Sequence, residues 1–227
     1  MYKVVIFINM LMCLACKDNN ITSESEKAKA FAIDSSGRLD NNKKVGLWRY
    51  SDSEGNLIAA KYFEEDSMLT EVDLNDALFI SKSFPELGIT FSYPSKWEII
   101  DEKNTIFNIR KSCSKEFCTN LVLTVIHDSS QLGQEYYADQ YITYIKSRFT
   151  NLEILYTGKE SFGPFNAYII DYKLEENSVE LGSTIAIVKI AENKYLVFNY
   201  SGFNGVEGLY FYDRLILEEM LNTINGL

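Results

Sequence analysis

Apolar and polar residues alternate with a period of two in several short runs between Phe84 and the end of the chain. In the first run Ile89, Phe91 and Tyr93 share one side, and the pattern breaks at Pro94. Such alternation is typical of a strand with one buried face. Comparable runs, rich in β-branched and aromatic residues, are NTIFNIRKS, NLVLTVIH, EILYTGKES, FNAYIIDYKL, STIAIVKI and KYLVFNYSG. Together these runs predict a sheet.

Two segments in the same region have the spacing of an amphipathic helix. The first aligns four large side chains: Tyr137, Tyr141, Ile145 and Phe149. The second aligns Phe211, Leu215, Leu221 and Ile224. We expect both stripes to pack on the sheet, and Glu218, Glu219 and Asn222 to face solvent. Residues 84–227 are therefore interpreted as one α/β domain.

Residues 45–63, VGLWRYSDSEGNLIAAKYF, show the period of two on both sides of a polar turn. Trp48 and Tyr50 share one side of the first strand, and Ile58, Ala60 and Tyr62 continue the same period in the second strand. This pattern predicts a β-hairpin. A lone hairpin is marginal in water, so it docks on the rest of the chain or binds a partner. Docking on the chain is favoured, because an unpaired hairpin would expose Trp48.

The beginning of the chain has the order of a targeting segment. Lys3 supplies a positive charge, and the apolar run 4–15 that follows is shorter than the roughly twenty residues that span a bilayer. Residues 1–15 are therefore predicted to be a signal peptide. Residues 16–44 are polar and poor in large apolar side chains, which predicts a flexible tether.

Residues 64–83 are strongly acidic and are predicted to form a linker with a solvated face. A calcium loop is the alternative interpretation. The sequence DLND at 73–76 lacks the alternating oxygen ligands, the turn glycine and the closing glutamate of such a loop. No metal site is therefore expected here.

Composition excludes some classes of function. The chain has 227 residues, of which 46% are hydrophobic, so it can bury a sizeable core. Its formal net charge of -10 argues against nucleic acid as a partner, because phosphate binding requires a basic surface.

No arrangement of residues in the sequence predicts catalysis. His127, the only histidine, ends a predicted strand and cannot form a multi-histidine metal site. The Ser-x-x-Lys match at 112–115 lies in a predicted loop without the other motifs of that enzyme class. No glycine pattern opens a helix after a strand, as a nucleotide site requires. We therefore predict a non-enzymatic protein without metal or cofactor.

The sequence CLAC at 13–16 resembles the lipobox of bacterial lipoproteins, although Cys13 stands where that family prefers Leu. The resemblance implies that Cys16 is the acylated residue. An ordinary secretory signal is the alternative. Lys17 and Asp18 resemble, incompletely, the export signal of surface lipoproteins of Bacteroidota. We therefore expect a lipid-anchored protein of the cell envelope, on the outer membrane, with periplasmic and surface positions both open.

Two further resemblances concern the folded parts. The Gly-x-Trp-x-Tyr of the hairpin, with its turn glycine and trailing aromatic residue, resembles a single MORN-type repeat. Three stretches resemble the PsbP-like and DcrB-like proteins over 84–227: GITFSYPSKWEII, NLVLTVI before a Tyr-rich helix, and AYIIDYKL with STIAIVKIAENKYLVFNYS before a terminal helix. This resemblance implies an α+β fold with a central antiparallel sheet flanked by helices. It also implies an extracytoplasmic protein that binds or organises other proteins.

Cys113 and Cys118 are the thiols that remain if Cys16 is acylated and the signal peptide with Cys13 is removed. They flank a short loop between two predicted strands, and the compartment is oxidising. A disulfide between them is therefore expected.

The function predicted from the sequence is binding of a protein partner, or support of assembly, by an envelope lipoprotein. The alternative is a periplasmic carrier or hydrolase for a small apolar ligand, with aromatic residues lining its pocket. A closed, aromatic-filled interior would favour the first function. An open pocket with converging polar groups would favour the second.

Overall fold

A computed structural model describes residues 34–100, 105–111, 118–176, 179–203 and 209–227 of the chain. The predicted signal peptide, the proposed acylation site Cys16, the Ser-x-x-Lys match at 112–115 and Cys113 lie outside these residues.

The N-terminal sheet is an antiparallel meander of four strands, in the order β1-β2-β3-β4. The strands are β1 Asp34–Asp40, β2 Lys43–Ser51, β3 Leu57–Glu64 and β4 Ser67–Glu71. The predicted hairpin segment 45–63 forms most of β2 and β3, which pair Leu47 with Tyr62 and Trp48 with Lys61. It lies inside a larger sheet, because β1 and β4 extend it on both sides.

The remaining strands form a main sheet and a small sheet. The main sheet has the order β10-β11-β12-β13-β9-β8-β7, and the small sheet has the order β14-β6-β5. The bounds are β5 Phe79–Phe84, β6 Ile89–Pro94, β7 Glu98–Ile99, β8 Phe107–Arg110, β9 Asn120–His127, β10 Leu152–Phe162, β11 Phe165–Glu176, β12 Val179–Ala191, β13 Lys194–Phe203 and β14 Asn225–Gly226. The described pairings are antiparallel.

Three helices in the described ranges complete the fold: α1 Leu74–Ala77, α2 Gly133–Arg148 and α3 Leu209–Asn222. Helix α2 covers one face of the main sheet, and its predicted stripe packs there against residues such as Ile170 and Val197. On the other face, Leu215, Leu221 and Ile224 are buried in a second cluster. The predicted α+β class, with an antiparallel sheet flanked by helices, is confirmed.

The second cluster is filled with aromatic side chains. Phe91 stacks on Phe84 at 5.2 Å between ring centroids and meets Phe107 at 5.7 Å and Phe198 at 5.6 Å, edge to face. All four are buried. Aromatic pairs in such geometries add to the stabilisation from burial. The aromatic side chains of this region therefore form the core instead of lining a pocket.

The structure differs from the prediction of a polar tether at 16–44. Residues 34–40 form β1, all seven of which are exposed, and β2 begins at Lys43. Backbone hydrogen bonds to β2 define this edge strand. Because neither face of β1 is fully buried, its sequence carries no apolar alternation that could have revealed it.

The acidic segment 64–83 also differs from the prediction of a solvated linker. It contains β4, α1 and the start of β5. Asp76 is only 2% exposed, and its carboxylate accepts hydrogen bonds from Trp97 Nε1 at 2.9 Å and from Lys111 Nζ at 2.6 Å. A buried carboxylate needs such partners. Asp76 therefore ties this segment to the main body of the fold.

Candidate functional site: a groove between the N-terminal sheet and helix α3

One face of the N-terminal sheet docks on the rest of the chain. Leu47, Ala60 and Tyr62 belong to the same buried cluster as Leu215 and Ile216 of α3. Arg49 Nε donates a hydrogen bond to the carbonyl oxygen of Ala77 at 2.9 Å. Of the two alternatives for the hairpin, the structure shows docking on the chain itself.

The opposite face of the N-terminal sheet is closed by its own residues. Trp48 lies there and is only 7% exposed. Lys44 Nζ lies 4.4 Å from the centroid of the Trp48 ring and 5.1 Å from that of Phe63. The backbone of Gly37 approaches the indole so closely that a Cβ at Gly37 would lie 2.5 Å from a ring carbon. Trp48 is therefore buried without contributing to the docked face.

An open groove of about 710 Å³ runs between the docked face and α3. Leu47, Tyr62 and Leu215 form its floor and are themselves almost fully buried, whereas Val45 and Phe63 are partly exposed and Leu69 is exposed. Its charged lining comes from both ends of the chain. The N-terminal sheet contributes Arg38, Arg49 and Glu64, and helix α3 contributes Glu218 and Glu219. Because the N-terminal sheet supplies one wall, the groove exists only when that sheet is docked.

Glu219 is paired with Arg49 across the groove. Arg49 Nη2 lies 3.7 Å from Glu219 Oε1, and 21% of the Glu219 side chain is exposed. Burial raises the pKa of Glu219 above its usual value, although the positive charges of Arg49 and Arg38 oppose this rise. The carboxylate of Glu219 is thus only partly compensated within the protein.

Glu218 belongs to a network around Arg214, which is 8% exposed. The Arg214 guanidinium lies 2.6 Å from Glu218, 3.3 Å from Asp171 and 3.6 Å from Glu160. Burial raises the pKa of Glu218; Arg214 opposes the rise, and the carboxylates of Glu160 and Asp171 add to it. The network therefore holds three acids around one base.

The expectation that Glu218, Glu219 and Asn222 face solvent was wrong for the two glutamates. Asn222 is exposed, whereas the glutamates are partly buried against the groove. Helical spacing identified the side of α3 that packs on the sheet. It carried no information about the N-terminal sheet, which covers another side of the helix and contacts it, for example, through Tyr62 and Leu215, 153 residues apart in the sequence.

The other residues singled out in the sequence lie away from this groove. His127 is exposed at the end of β9. The adjacent Asp128 is fully buried and accepts hydrogen bonds at 3.0 Å from the backbone of Leu132 and Gly133. Burial would raise the pKa of Asp128, but these bonds outweigh burial and lower it. Asp128 therefore shapes the turn that leads into α2.

Cys118 is half-buried and lies just before β9. Because Cys113 lies outside the described residues, the bond between the two cysteines stays a prediction. Within the described ranges, no three His, Cys, Asp or Glu side chains come together as a metal site would require. No helix of the described part of the chain is long and apolar enough to cross a membrane.

Comparison with solved structures shows which proteins have a similar fold. The chain is similar to cyanobacterial PsbP (CyanoP) from Synechocystis sp. PCC 6803, at 15% identity and a TM-score of 0.53, over 69% of this chain and 95% of CyanoP. It is also similar to Mog1p, a Ran-binding protein of Saccharomyces cerevisiae, at 8% identity and a TM-score of 0.50, over 66% of this chain and 95% of Mog1p. No protein-family model and no curated protein matches the sequence. The chain therefore has a PsbP-like fold.

Proposed function

We propose that this chain is a non-enzymatic, lipid-anchored binding module of the cell envelope that holds a partner protein in the groove between the N-terminal sheet and α3. The observation that carries the proposal is the closed aromatic core, which argues against an aromatic-lined ligand pocket and leaves the groove as the surface for a partner. The fold supports such a role, since Mog1p, which has a similar fold, is a Ran-binding protein.

The anchor in this proposal is an acyl group on Cys16, following the lipobox resemblance of CLAC. Each buried methylene of an acyl chain contributes about 0.8 kcal/mol, so the two or three chains of a bacterial lipoprotein suffice for stable attachment. The Cys16→Ala protein should leave the membrane fraction and lose fatty-acid label, whereas Cys13→Ala should retain both. A Cys16→Ala protein that stays labelled and membrane-bound would contradict the anchor. The same proposal includes three further features. The hairpin of β2 and β3 is a MORN-type repeat, the protein is attached to the outer membrane, and Cys113 and Cys118 form a disulfide.

A pull-down from membranes solubilised in mild detergent tests the binding role. The matched variant is Asn222→Trp, because Asn222 is exposed and lines the groove, so that an indole there fills space without removing a core contact. We expect the wild-type protein to recover a discrete partner that Asn222→Trp fails to recover. Equal recovery by both proteins would place the partner elsewhere and contradict the role of the groove.

A small ligand is the second candidate occupant. The groove volume of about 710 Å³ lies within the range of roughly 300 to 1,000 Å³ of small-molecule sites, and polar groups converge there. Native mass spectrometry of the protein purified from its own membranes distinguishes the two functions. A stoichiometric small molecule that Asn222→Trp excludes would favour the carrier.

A further inference from the structure

The groove and the residues that contact Arg214 behind it contain more acidic than basic side chains. Arg38 and Arg49 line the groove together with Glu64, Glu218 and Glu219. Behind them Arg214 contacts Glu160 and Asp171 as well as Glu218. Three guanidinium groups thus face five carboxylates. The excess negative charge has the same sign as the net charge of -10 of the whole chain, which attracts cationic partners.

Most of the positive charge in this region is already used within the protein. Arg49 donates to the Ala77 carbonyl oxygen, lies 3.7 Å from Glu219 and stacks over the Phe79 ring at 5.5 Å. Arg214 is shared among three carboxylates. Additional positive charge on a ligand would therefore find acceptors that the protein's own cations only partly satisfy.

The end of α3 adds to this negative potential. The carbonyl end of a helix carries partial negative charge and favours basic side chains in its last turn. The last turn of α3 contains no basic residue, and Glu219 lies there, beside the groove. The arrangement is unfavourable within the isolated chain, and a cation placed in the groove would relieve it.

Apolar surface accompanies this charge. Val45 and Phe63 line the groove from the sheet and are partly exposed, and Leu69 lies at its edge with 40% of its surface exposed. An occupant that is both basic and apolar matches the two features, whereas an acidic occupant does not match the charge and a purely polar one does not match the apolar surface.

We infer that the groove binds a basic, amphipathic segment of the partner protein, with a lysine or arginine facing Glu218 and Glu219 and an apolar side chain beside Leu69. This inference rests on the proposed function and specifies the chemistry of the partner.

Binding of two capped, fluorescein-labelled synthetic peptides to the full-length protein in mild detergent tests the inference. The peptides are LKLKLKL and its acidic counterpart LELELEL. At low salt and neutral pH the basic peptide should bind about tenfold more tightly than the acidic one. The double variant Glu218→Gln/Glu219→Gln should weaken binding of the basic peptide about tenfold, and added salt should weaken it further.

The matched control is Glu98→Gln/Glu153→Gln, which makes the same change in net charge at two exposed sites outside the groove. It should leave the affinity for the basic peptide within about twofold. Asn222→Trp should abolish binding without removing a carboxylate, which keeps the test valid if the double glutamine variant fails to fold. The near-ultraviolet circular dichroism of each variant reports folding.

Three results would overturn the inference: equal affinity for both peptides, equal weakening by the control variant, or unchanged binding by Asn222→Trp. A dimer of the chain that competes with the peptide would also overturn it, because the occupant would then be a second copy. If the pull-down recovers a groove-dependent partner whose contacting segment lacks Lys and Arg, this inference fails and the proposed function stands. If no groove-dependent partner protein is recovered, the proposed function itself fails.

Discussion

The hydroxyl of Tyr62 donates a hydrogen bond of 2.5 Å to the backbone carbonyl oxygen of Leu215, which lies 153 residues further along the chain. Both residues are buried, at 3% and 6% exposure. The bond connects the N-terminal sheet directly to the helix that forms the other wall of the groove. It therefore helps to set the distance between the two walls.

Tyr62→Phe removes this hydrogen bond and keeps the ring. We expect a loss of about 1 kcal/mol in the free energy of unfolding, the usual net contribution of one buried hydrogen bond. Chemical denaturation measures the loss. Tyr144→Phe is the control, because Tyr144 is 54% exposed and its substitution should change stability very little. Equal stability of both variants would show that the Tyr62 bond does not hold the sheet on the helix.

Gly37→Ala should disrupt the packing of Trp48 on the face of the N-terminal sheet opposite the docked face. The new Cβ would lie 2.5 to 2.6 Å from three atoms of the Trp48 indole, so the ring or the strand must move. Overpacking of this kind costs about 1 to 3 kcal/mol, and the displaced indole should alter the tryptophan fluorescence.

Gly226→Ala is the control for Gly37→Ala, since among the described residues no atom that could crowd a new side chain lies within 4 Å of a Cβ at Gly226. Its emission spectrum and unfolding midpoint should match those of the wild type. A Gly37→Ala protein with wild-type stability and emission would contradict the packing of Trp48 described above.

Glu219→Gln should change how stability depends on pH. Because the pKa of Glu219 is raised in the folded protein, the folded state binds protons more strongly than the unfolded state. The contribution of this group to stability therefore falls as pH rises from the ordinary Glu pKa of about 4.3 through the raised folded value. A neutral glutamine does not undergo this change.

Urea denaturation of the wild type and Glu219→Gln over this pH interval measures the effect. The variant should gain stability relative to the wild type as pH increases and should show the smallest gain at the acid end. Glu86→Gln, at an exposed site outside the groove, is the control for the loss of one negative charge. A wild-type advantage that grows with pH would reverse the sign and contradict the burial of Glu219.

The proposed disulfide between Cys113 and Cys118 predicts that unreduced, unfolded mature protein takes up no thiol label at either position. Closing a ring of this size is expected to stabilise the fold by roughly 2 kcal/mol, in a model that attributes the effect to loop entropy. Mass spectrometry of labelled peptides, before and after reduction, locates the cysteines. Label on both cysteines without reduction would refute the bond.

The fold was predicted from the spacing of apolar residues in elements that bury a single face. The stripe from Tyr137 to Phe149 follows helix α2, and the alternation at Ile89, Phe91 and Tyr93 follows strand β6. In each case one packed side produces a period that can be read locally. The PsbP-like arrangement of these elements was also anticipated, from a resemblance in their order.

The elements and contacts that were missed depend on distant partners. Strand β1 has no buried face and is defined by backbone pairing with β2. Backbone pairing does not require particular side chains, so it produces no pattern in the sequence. In the sequence, Asp76 cannot be distinguished from the other residues of the acidic run. Its role depends on Trp97 and Lys111, which contact it only in the folded chain. Glu218 and Glu219 become groove residues through the docking of a sheet from the other end of the chain.

Site-specific photo-crosslinking in the cells that produce the protein tests most directly whether the groove is the docking site. One crosslinking amino acid replaces Leu69 at the edge of the groove, and another replaces Ile99, a similarly exposed aliphatic residue of β7 outside the groove. We predict one discrete crosslinked partner protein from position 69, lost when Asn222→Trp is added, and none from position 99. Absence of a crosslinked protein at position 69, or the same products from both positions, would contradict the proposed function.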